Sequence, residues 1–147
     1  MFPGVGIVGI DDSSTHYIKK LQENCFKING ICGPNTLDLR RIAEDFEINF
    51  VTSKVEDLLV HNEINLIVFM PTASNMAEHV CKALTVAGKH VICCHKFAVS
   101  SKYAQEMYEA SLKYPTLLSV IENPIRFSKN FITTKNLLLK NTIGQVK

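Results

Sequence analysis

No stretch of these 147 residues is apolar for long enough to cross a bilayer as a helix. The opening residues carry no positively charged n-region and no small-residue cleavage site, and a cut there would remove the first strand. No secretory leader is therefore expected. Repeats and low-complexity tracts are missing as well. The five cysteines are an odd number and lack CxxC spacing. That pattern argues against a disulfide framework and against zinc-ligand spacing. Cys25, Cys32, Cys81, Cys93 and Cys94 sit mostly among apolar neighbours, so they read as small buried residues of a reducing compartment. The expected location is the cytoplasm, and no metal is expected. A net charge of +2 names no nucleic-acid or membrane partner. Acids are absent after Glu122, where Arg126, Lys129, Lys135, Lys140 and Lys147 follow. Cations near a helix C-terminus suit the helix dipole, and an acidic partner is the sharper alternative.

What remains is an ordinary globular composition, 46% hydrophobic and 20% charged. Short runs rich in Val and Ile predict strands at 5–10, 26–32, 48–51, 65–70, 89–94 and 117–122, covered on both faces. Between them, helical patterns fall at 14–24, 35–46, 54–60, 75–87 and 101–113, with a last one at about 128–140. Ser53 to Glu56 has capping-box spacing. Ser74 or Asn75 suits the cap of the fourth helix, Ser100 or Ser101 that of the fifth, and Gly88 closes the fourth. Alternating strands and helices with short links imply an α/β, doubly wound parallel sheet of Rossmann type over 1–124. A basic helix and linker then occupy 125–147. Ligands of such sheets bind beyond the C-terminal strand edge.

Gly4, Gly6 and Gly9 spell GxGxxG, but they lie before and within the first strand. A phosphate loop must follow the strand and open the helix, because pyrophosphate sits on free helical N–H groups. In that register the loop is Gly9-Ile10-Asp11-Asp12-Ser13-Ser14, with Asp11 and Ser14 at the second and third glycine positions. A side chain at the second position obstructs the backbone's approach to pyrophosphate, and two carboxylates repel it. Asp11, Asp12 or Ser13 can instead cap the helix, giving the protein its own anion in place of the ligand's. The second strand ends Cys32-Gly33-Pro34-Asn35-Thr36, with no acid to clamp a ribose. Asn35 and Thr36 offer a weaker hydrogen bond or a helix cap. Pro71, Thr72 and Asn75 follow the fourth strand, and Cys94, His95 and Lys96 end the fifth. A cation at His95 or Lys96 would polarise a carbonyl or hold a hydroxyl.

Val5-Gly6-Ile7-Val8-Gly9, Ala87 to Cys93, and Phe97-Ala98-Val99-Ser100 together resemble the N-terminal domain of the Gfo/Idh/MocA oxidoreductases. Tyr114-Pro115, Asn123 to Phe127 and Ile143 to Val146 continue the resemblance over nearly the whole chain. Phe2-Pro3-Gly4 and the Tyr-Pro…Asn…Arg-Phe block are most similar to the glucose–fructose oxidoreductase domain-containing proteins of animals. The resemblance implies a Rossmann domain for NAD or NADP and a second α/β domain for substrate and oligomer contacts. It further implies chemistry on sugars, polyols and related compounds. Gly9 to Ser14 would face the pyrophosphate, Cys32 to Thr36 the adenosine ribose, and Pro71 to Asn75 the nicotinamide. Cys94 and Asn123 complete the cofactor-facing set, with His95 or Lys96 as the catalytic group. The family's Glu-Lys-Pro motif aligns with Cys94-His95-Lys96, which puts histidine at the lysine position. The second domain, and the later histidine and aspartate of the family's active site, would lie beyond Lys147. The expectation is weak or lost cofactor binding and no turnover by this chain alone. The other reading is a non-catalytic scaffold or interaction protein, and the animal subgroup suggests a secreted, matrix location as the alternative to the cytoplasm.

Overall fold

The computed structural model describes residues 3–11, 14–94, 98–142 and 144. Six strands form one parallel sheet in the order β3-β2-β1-β4-β5-β6: β1 Gly4–Val8, β2 Lys27–Cys32, β3 Phe50–Thr52, β4 Leu66–Phe69, β5 His90–Cys93 and β6 Ser119–Ile121. Six helices alternate with or follow them: α1 Ser14–Glu23, α2 Thr36–Asp45, α3 Val55–Val60, α4 Met76–Thr85, α5 Ser101–Lys113 and α6 Lys129–Leu139. A 3-10 turn, Pro124–Phe127, precedes α6. This is the doubly wound architecture read from the alternation of patterns.

Each central strand is apolar on both sides because helices cover both faces. Ile18 of α1 and Leu39, Ile42 and Ala43 of α2 pack with Val5, Ile7, Ile31 and Val68 on one face. Leu58 of α3, Val80 and Leu84 of α4 and Met107 of α5 pack with Ile67, Phe69 and Val91 on the other. A side chain such as Ile18, fully buried, contributes about 1.5–3 kcal/mol by leaving water. β6 and α6 differ, since neither has a buried residue.

Caps set the helix starts. Ser100 Oγ accepts the Tyr103 N–H at 3.3 Å, and Ser128 Oγ accepts the Phe131 N–H at 3.3 Å. Gly88, at φ +62, follows α4 where the Lys89 N–H returns to the Ala83 carbonyl at 2.9 Å. Asn75 holds the cap position of α4 in the left-handed region, φ +48, without a side-chain capping bond. The capping box expected from Ser53 to Glu56 does not form: Lys54 holds the cap position of α3, without a side-chain capping bond. Thr52 Oγ1 accepts the Lys54 N–H at 3.0 Å and donates to the Asp57 carboxylate. The β3 end brings the Thr52 hydroxyl to the helix entrance, so the neighbouring serine is not used.

β1 pairs with β2 on one side and β4 on the other, so the chain reverses its direction of winding at β1. The crevice beyond the C-terminal ends of β1 and β4 is where such sheets take ligands.

Candidate nucleotide site

Three turns meet beyond β1. The Gly9 N–H donates to the Cys32 carbonyl at 2.9 Å, and Thr72 Oγ1 donates to the Gly9 carbonyl at 2.6 Å. Gly9 has φ +83, and a Cβ there would lie 2.5 Å from Ala73 N and 2.8 Å from Ala73 Cα. Only glycine fits that approach without moving backbone. Gly33 faces Ile10, whose N would lie 3.5 Å from a Cβ added at Gly33.

The helix entrance is closed by its own residues. The Ser14 N–H donates to Asp11 Oδ1 at 3.1 Å and to the Asp11 carbonyl at 3.0 Å. Ser14 Oγ donates to Asp11 Oδ1 at 3.0 Å and accepts the Asp11 N–H at 2.9 Å. Ser14 is fully buried. The Ser14 N–H and hydroxyl, which the α1 N-terminus would offer a phosphate, are thus directed to a carboxylate within the turn. Asp12 and Ser13 lie outside the described residues.

At the end of β2 the Cys32 side chain is buried in the core, and burial pushes its thiol up to about 11. Its contribution to the turn is the carbonyl that holds Gly9. Asn35 is the cap of α2: its Oδ1 accepts the Leu37 N–H at 3.1 Å, and its Nδ2 donates to the Asp38 carboxylate. Thr36 is the first helical residue and is exposed. Asp38 is an acid near the strand end that the sequence reading passed over. Its signal was the Asn-x-x-Asp spacing of a capping pair.

After β4, Pro71, Asn75 and neighbouring residues line a cavity of about 500 Å³ closed by Ala98, Val99 and Tyr103 near the start of α5. Thr72 is turned to Gly9 instead. Asn123 caps the 3-10 turn, its Oδ1 accepting the Ile125 N–H at 3.3 Å. Cys94 is buried, its Sγ 4.0 Å from Met70 Sδ, with Tyr17 and Glu122 near enough to act on its thiol. Burial, then the Glu122 carboxylate, pushes its thiol up to about 12. Burial, then Cys94 and Glu122, also raises the Tyr17 hydroxyl above its ordinary value. A thiol so placed keeps its proton and is a poor nucleophile. Tyr17 and Glu122 were missed from the sequence because only the fold brings α1 and the end of β6 together at Cys94. His95 and Lys96 lie outside the described residues. Among the described residues no cluster of three or more His, Cys, Asp or Glu side chains is arranged to hold a metal ion.

Residues 4–122 match the model of an oxidoreductase family with an NAD-binding Rossmann fold, Gfo/Idh/MocA. The chain belongs to that family. It is similar to glucose-fructose oxidoreductase domain-containing protein 2 of Homo sapiens, 31% identical over 146 residues, covering 99% of this chain and 37% of the relative. The Bos taurus counterpart is 33% identical over 147 residues, with the same coverage of each. The chain thus spans about 37% of the length of these relatives. Its fold is shared by scyllo-inositol dehydrogenase of Lactobacillus casei, solved with NAD(H) and scyllo-inositol: TM-score 0.87 at 16% identity, covering 99% of this chain and 43% of that one. Myo-inositol 2-dehydrogenase of Lactobacillus plantarum has TM-score 0.86 at 15% identity, with the same coverage of each.

The chain is therefore a nucleotide-binding Rossmann domain of the Gfo/Idh/MocA family, whose ligand type is a nicotinamide dinucleotide. Tested against that ligand, the turn fits only in part. Gly9 makes the bend, but Asp11 stands at the position where backbone should meet pyrophosphate, and Ser14 is spent on Asp11.

Proposed function

We propose that this domain holds NAD or NADP weakly and does not turn over substrate by itself. The observation that supports this is the reciprocal pairing of Asp11 with Ser14 at the α1 entrance. Pyrophosphate would have to displace a carboxylate that already occupies the donors and would meet its charge at short range. The adenosine end would rest near Gly33, Asn35 and Thr36, with Asp38 beside them, and the nicotinamide would enter the cavity bordered by Pro71 and Asn75. His95 or Lys96 is the candidate polar group at the reacting end. Sugar-like substrates, homo-oligomer contacts and turnover belong to a longer form in which a second domain follows. Division at about residue 124 fits the exposure of α6, whose side chains stand away from the sheet core.

Calorimetric titration of the chain with NADH and NADPH tests this. Dissociation constants near or above about 1 mM are expected. Binding at about 1 μM would overturn it.

A second reading, a non-catalytic scaffold, has its own observation. Leu118, Val120, Ile121, Ile125, Phe127, Ile132 and Leu139 are exposed over β6, the 3-10 turn and α6. Lys129, Lys135 and Lys140 lie on the same segment with no acid among them. An apolar area of that kind is an interaction surface in most proteins. Charge reversal of Lys129, Lys135 and Lys140 to Glu should release a co-purifying acidic partner; unchanged binding would rule out this surface. The five free thiols favour a reducing, cytoplasmic setting over a secreted one.

A further inference from the structure

We infer, resting on the nucleotide reading above, that Asp38 makes this domain select NAD(H) against NADP(H). That choice is left open by the pyrophosphate turn, because both cofactors carry the same diphosphate. They differ in one group, a phosphate on the 2′-hydroxyl of the adenosine ribose. A phosphate monoester there brings about 1.5 to 2 further negative charges at pH 7. Selection therefore depends on the charges at the C-terminal end of β2 and the entrance of α2, where such sheets place that ribose.

An acid that ends β2 is the usual acceptor for the ribose hydroxyls. Here β2 ends at Cys32, and the next two residues, Gly33 and Pro34, carry no charge. The acid comes later, as Asp38 in the first turn of α2. Asn35 ties it to the entrance: its Oδ1 accepts the Leu37 N–H at 3.1 Å, and its Nδ2 donates to Asp38 Oδ2. The carboxylate is thus held at the start of the helix, beside the strand end, and it is exposed to a ligand. The Asn35 bond uses Oδ2, which leaves Oδ1 to accept from a hydroxyl. A ribose 2′-hydroxyl has a proton to donate to it. A doubly ionised 2′-phosphate has none, and it meets a like charge.

Neighbouring charges act in the same direction. The Gly33 N–H donates to the Thr52 carbonyl at 3.3 Å, so the end of β3 lies against the turn between β2 and α2. There Thr52 Oγ1 donates to the Asp57 carboxylate. The charges of Asp57 and then Glu56 add to burial in raising the Cys32 thiol, so the field at the last residue of β2 is negative. Glu56 is shared with Lys82, 3.3 Å away, which leaves Asp57 as the larger contributor. The cations are placed otherwise. Arg40 lines a recess with Glu44, Glu47 and Asn49 at the far end of α2. Arg41 and Lys54 are exposed, and among the described residues no hydrogen bond or ion pair holds either side chain in place. Ordering one of them on a phosphate costs side-chain entropy, whereas Asn35 already holds Asp38.

Two-dimensional NMR of the intact chain, titrated with NADH and separately with NADPH, tests this, and the Asp38→Asn variant is titrated in the same way. The parent should bind NADH at least about tenfold more tightly than NADPH. Asparagine keeps an acceptor for Asn35 and a ribose hydroxyl but drops the charge. In that variant the ratio should shrink to about threefold or less, through a gain for NADPH, with melting temperatures measured alongside to verify folding. The ratio reads Asp38, while the absolute NADH constant reads the α1 turn. NADH binding at about 1 μM with the ratio intact would therefore end the weak-binding reading and support the selection. Equal binding of the two cofactors, preference for NADPH, or an unchanged ratio in folded Asp38→Asn would overturn the selection. So would a failure of NADH to approach saturation by about 10 mM.

Discussion

Replacing Asp11 by Asn separates the two things that residue does. Asparagine and aspartate are equally good helix caps, so the neutral side chain keeps the acceptor for the Ser14 N–H and Oγ. Stability should therefore change by less than about 0.5 kcal/mol. What the substitution removes is a negative charge beside the place where pyrophosphate would lie. Two unit charges at ~4 Å repel by ~4 kcal/mol at an effective dielectric near 20. Asp11 is only half-buried, and at ~6 Å with an effective dielectric near 40 the repulsion falls to ~1.4 kcal/mol. The affinity for NADH should thus rise by about tenfold to about a thousandfold. NADH titration by calorimetry reads the gain, and thermal melts of the same samples read the cap. Asp11→Gly is the informative contrast. It removes the charge and the cap and leaves the buried Ser14 hydroxyl without its acceptor, so it should gain affinity while losing about 1–3 kcal/mol of stability. If Asp11→Asn is folded and binds NADH no better than the parent, charge repulsion at this turn is not what weakens the site.

Gly9→Ala should cost about 2–4 kcal/mol in urea denaturation. A left-handed alanine accounts for about 1–2 of that, and displacement of the Ala73 backbone and the Thr72 bond for the rest; a loss under about 0.5 kcal/mol would contradict the contact. Burial raises Cys93 and Cys94 to about 12 and Cys32 to about 11, from an ordinary 9.0. The folded chain keeps these protons where the unfolded chain loses them, so stability present below pH 9 should fall as the pH climbs toward 11 and 12. The slope is up to about 1.4 kcal/mol per thiol per pH unit, and Cys93→Ala should flatten it; stability constant from pH 8 to pH 10.5 would refute the assignment. Iodoacetamide near pH 8 should modify Cys25 first, because it alone of the five is exposed, and equal rates at Cys25 and Cys93 would count against the burial. Phe127→Ser and Leu139→Ser, at side chains 76% and 70% exposed, should leave stability within about 0.5 kcal/mol in thermal melts; a larger loss would contradict their exposure.

The sheet was legible because its strands are buried on both faces and so read as unbroken Val and Ile runs between helical patterns. Ends were less legible. The strand expected at 117–122 pairs only over Ser119–Ile121, since an edge strand has one neighbour to define it. The turn Pro124–Phe127 was not foreseen, because one proline-led turn has no periodicity to read. Sequence spacing favours a cap at Ser53, but Lys54 holds the cap position of α3 without a side-chain capping bond, and the neighbouring Thr52 hydroxyl bonds the Lys54 N–H and Asp57 instead. At the site, the replacement of glycines by Asp11 and Ser14 was visible, and so was a cap as their use. Which acid caps, and that Ser14 answers it, depended on the bend that Gly9 permits. The link from Tyr17 through Cys94 to Glu122 joins residues far apart in sequence, so no local pattern carries it.

Gly9 also shows why the shape of the turn does not depend on a ligand. Gly9 is fixed by a neighbour inside the protein: a Cβ would collide with the Ala73 backbone whether or not a nucleotide is present. Its presence is a requirement of the sheet's switch point and gives no information about binding. The second and third glycines of a phosphate loop answer to different needs, close approach of the ligand and close packing of the helix. Asp11 and Ser14 occupy those positions without disturbing β1, because each meets the hydrogen-bonding demand of the other. A helix entrance must satisfy its free N–H groups in some way, and a ligand's anion or a side chain's anion will serve. Choosing the side chain keeps the entrance ordered in the absence of cofactor, and the same choice places a competitor in the cofactor's seat. On the proposed reading, the residues at those two positions, not the glycine at the first, set how tightly this domain holds a dinucleotide.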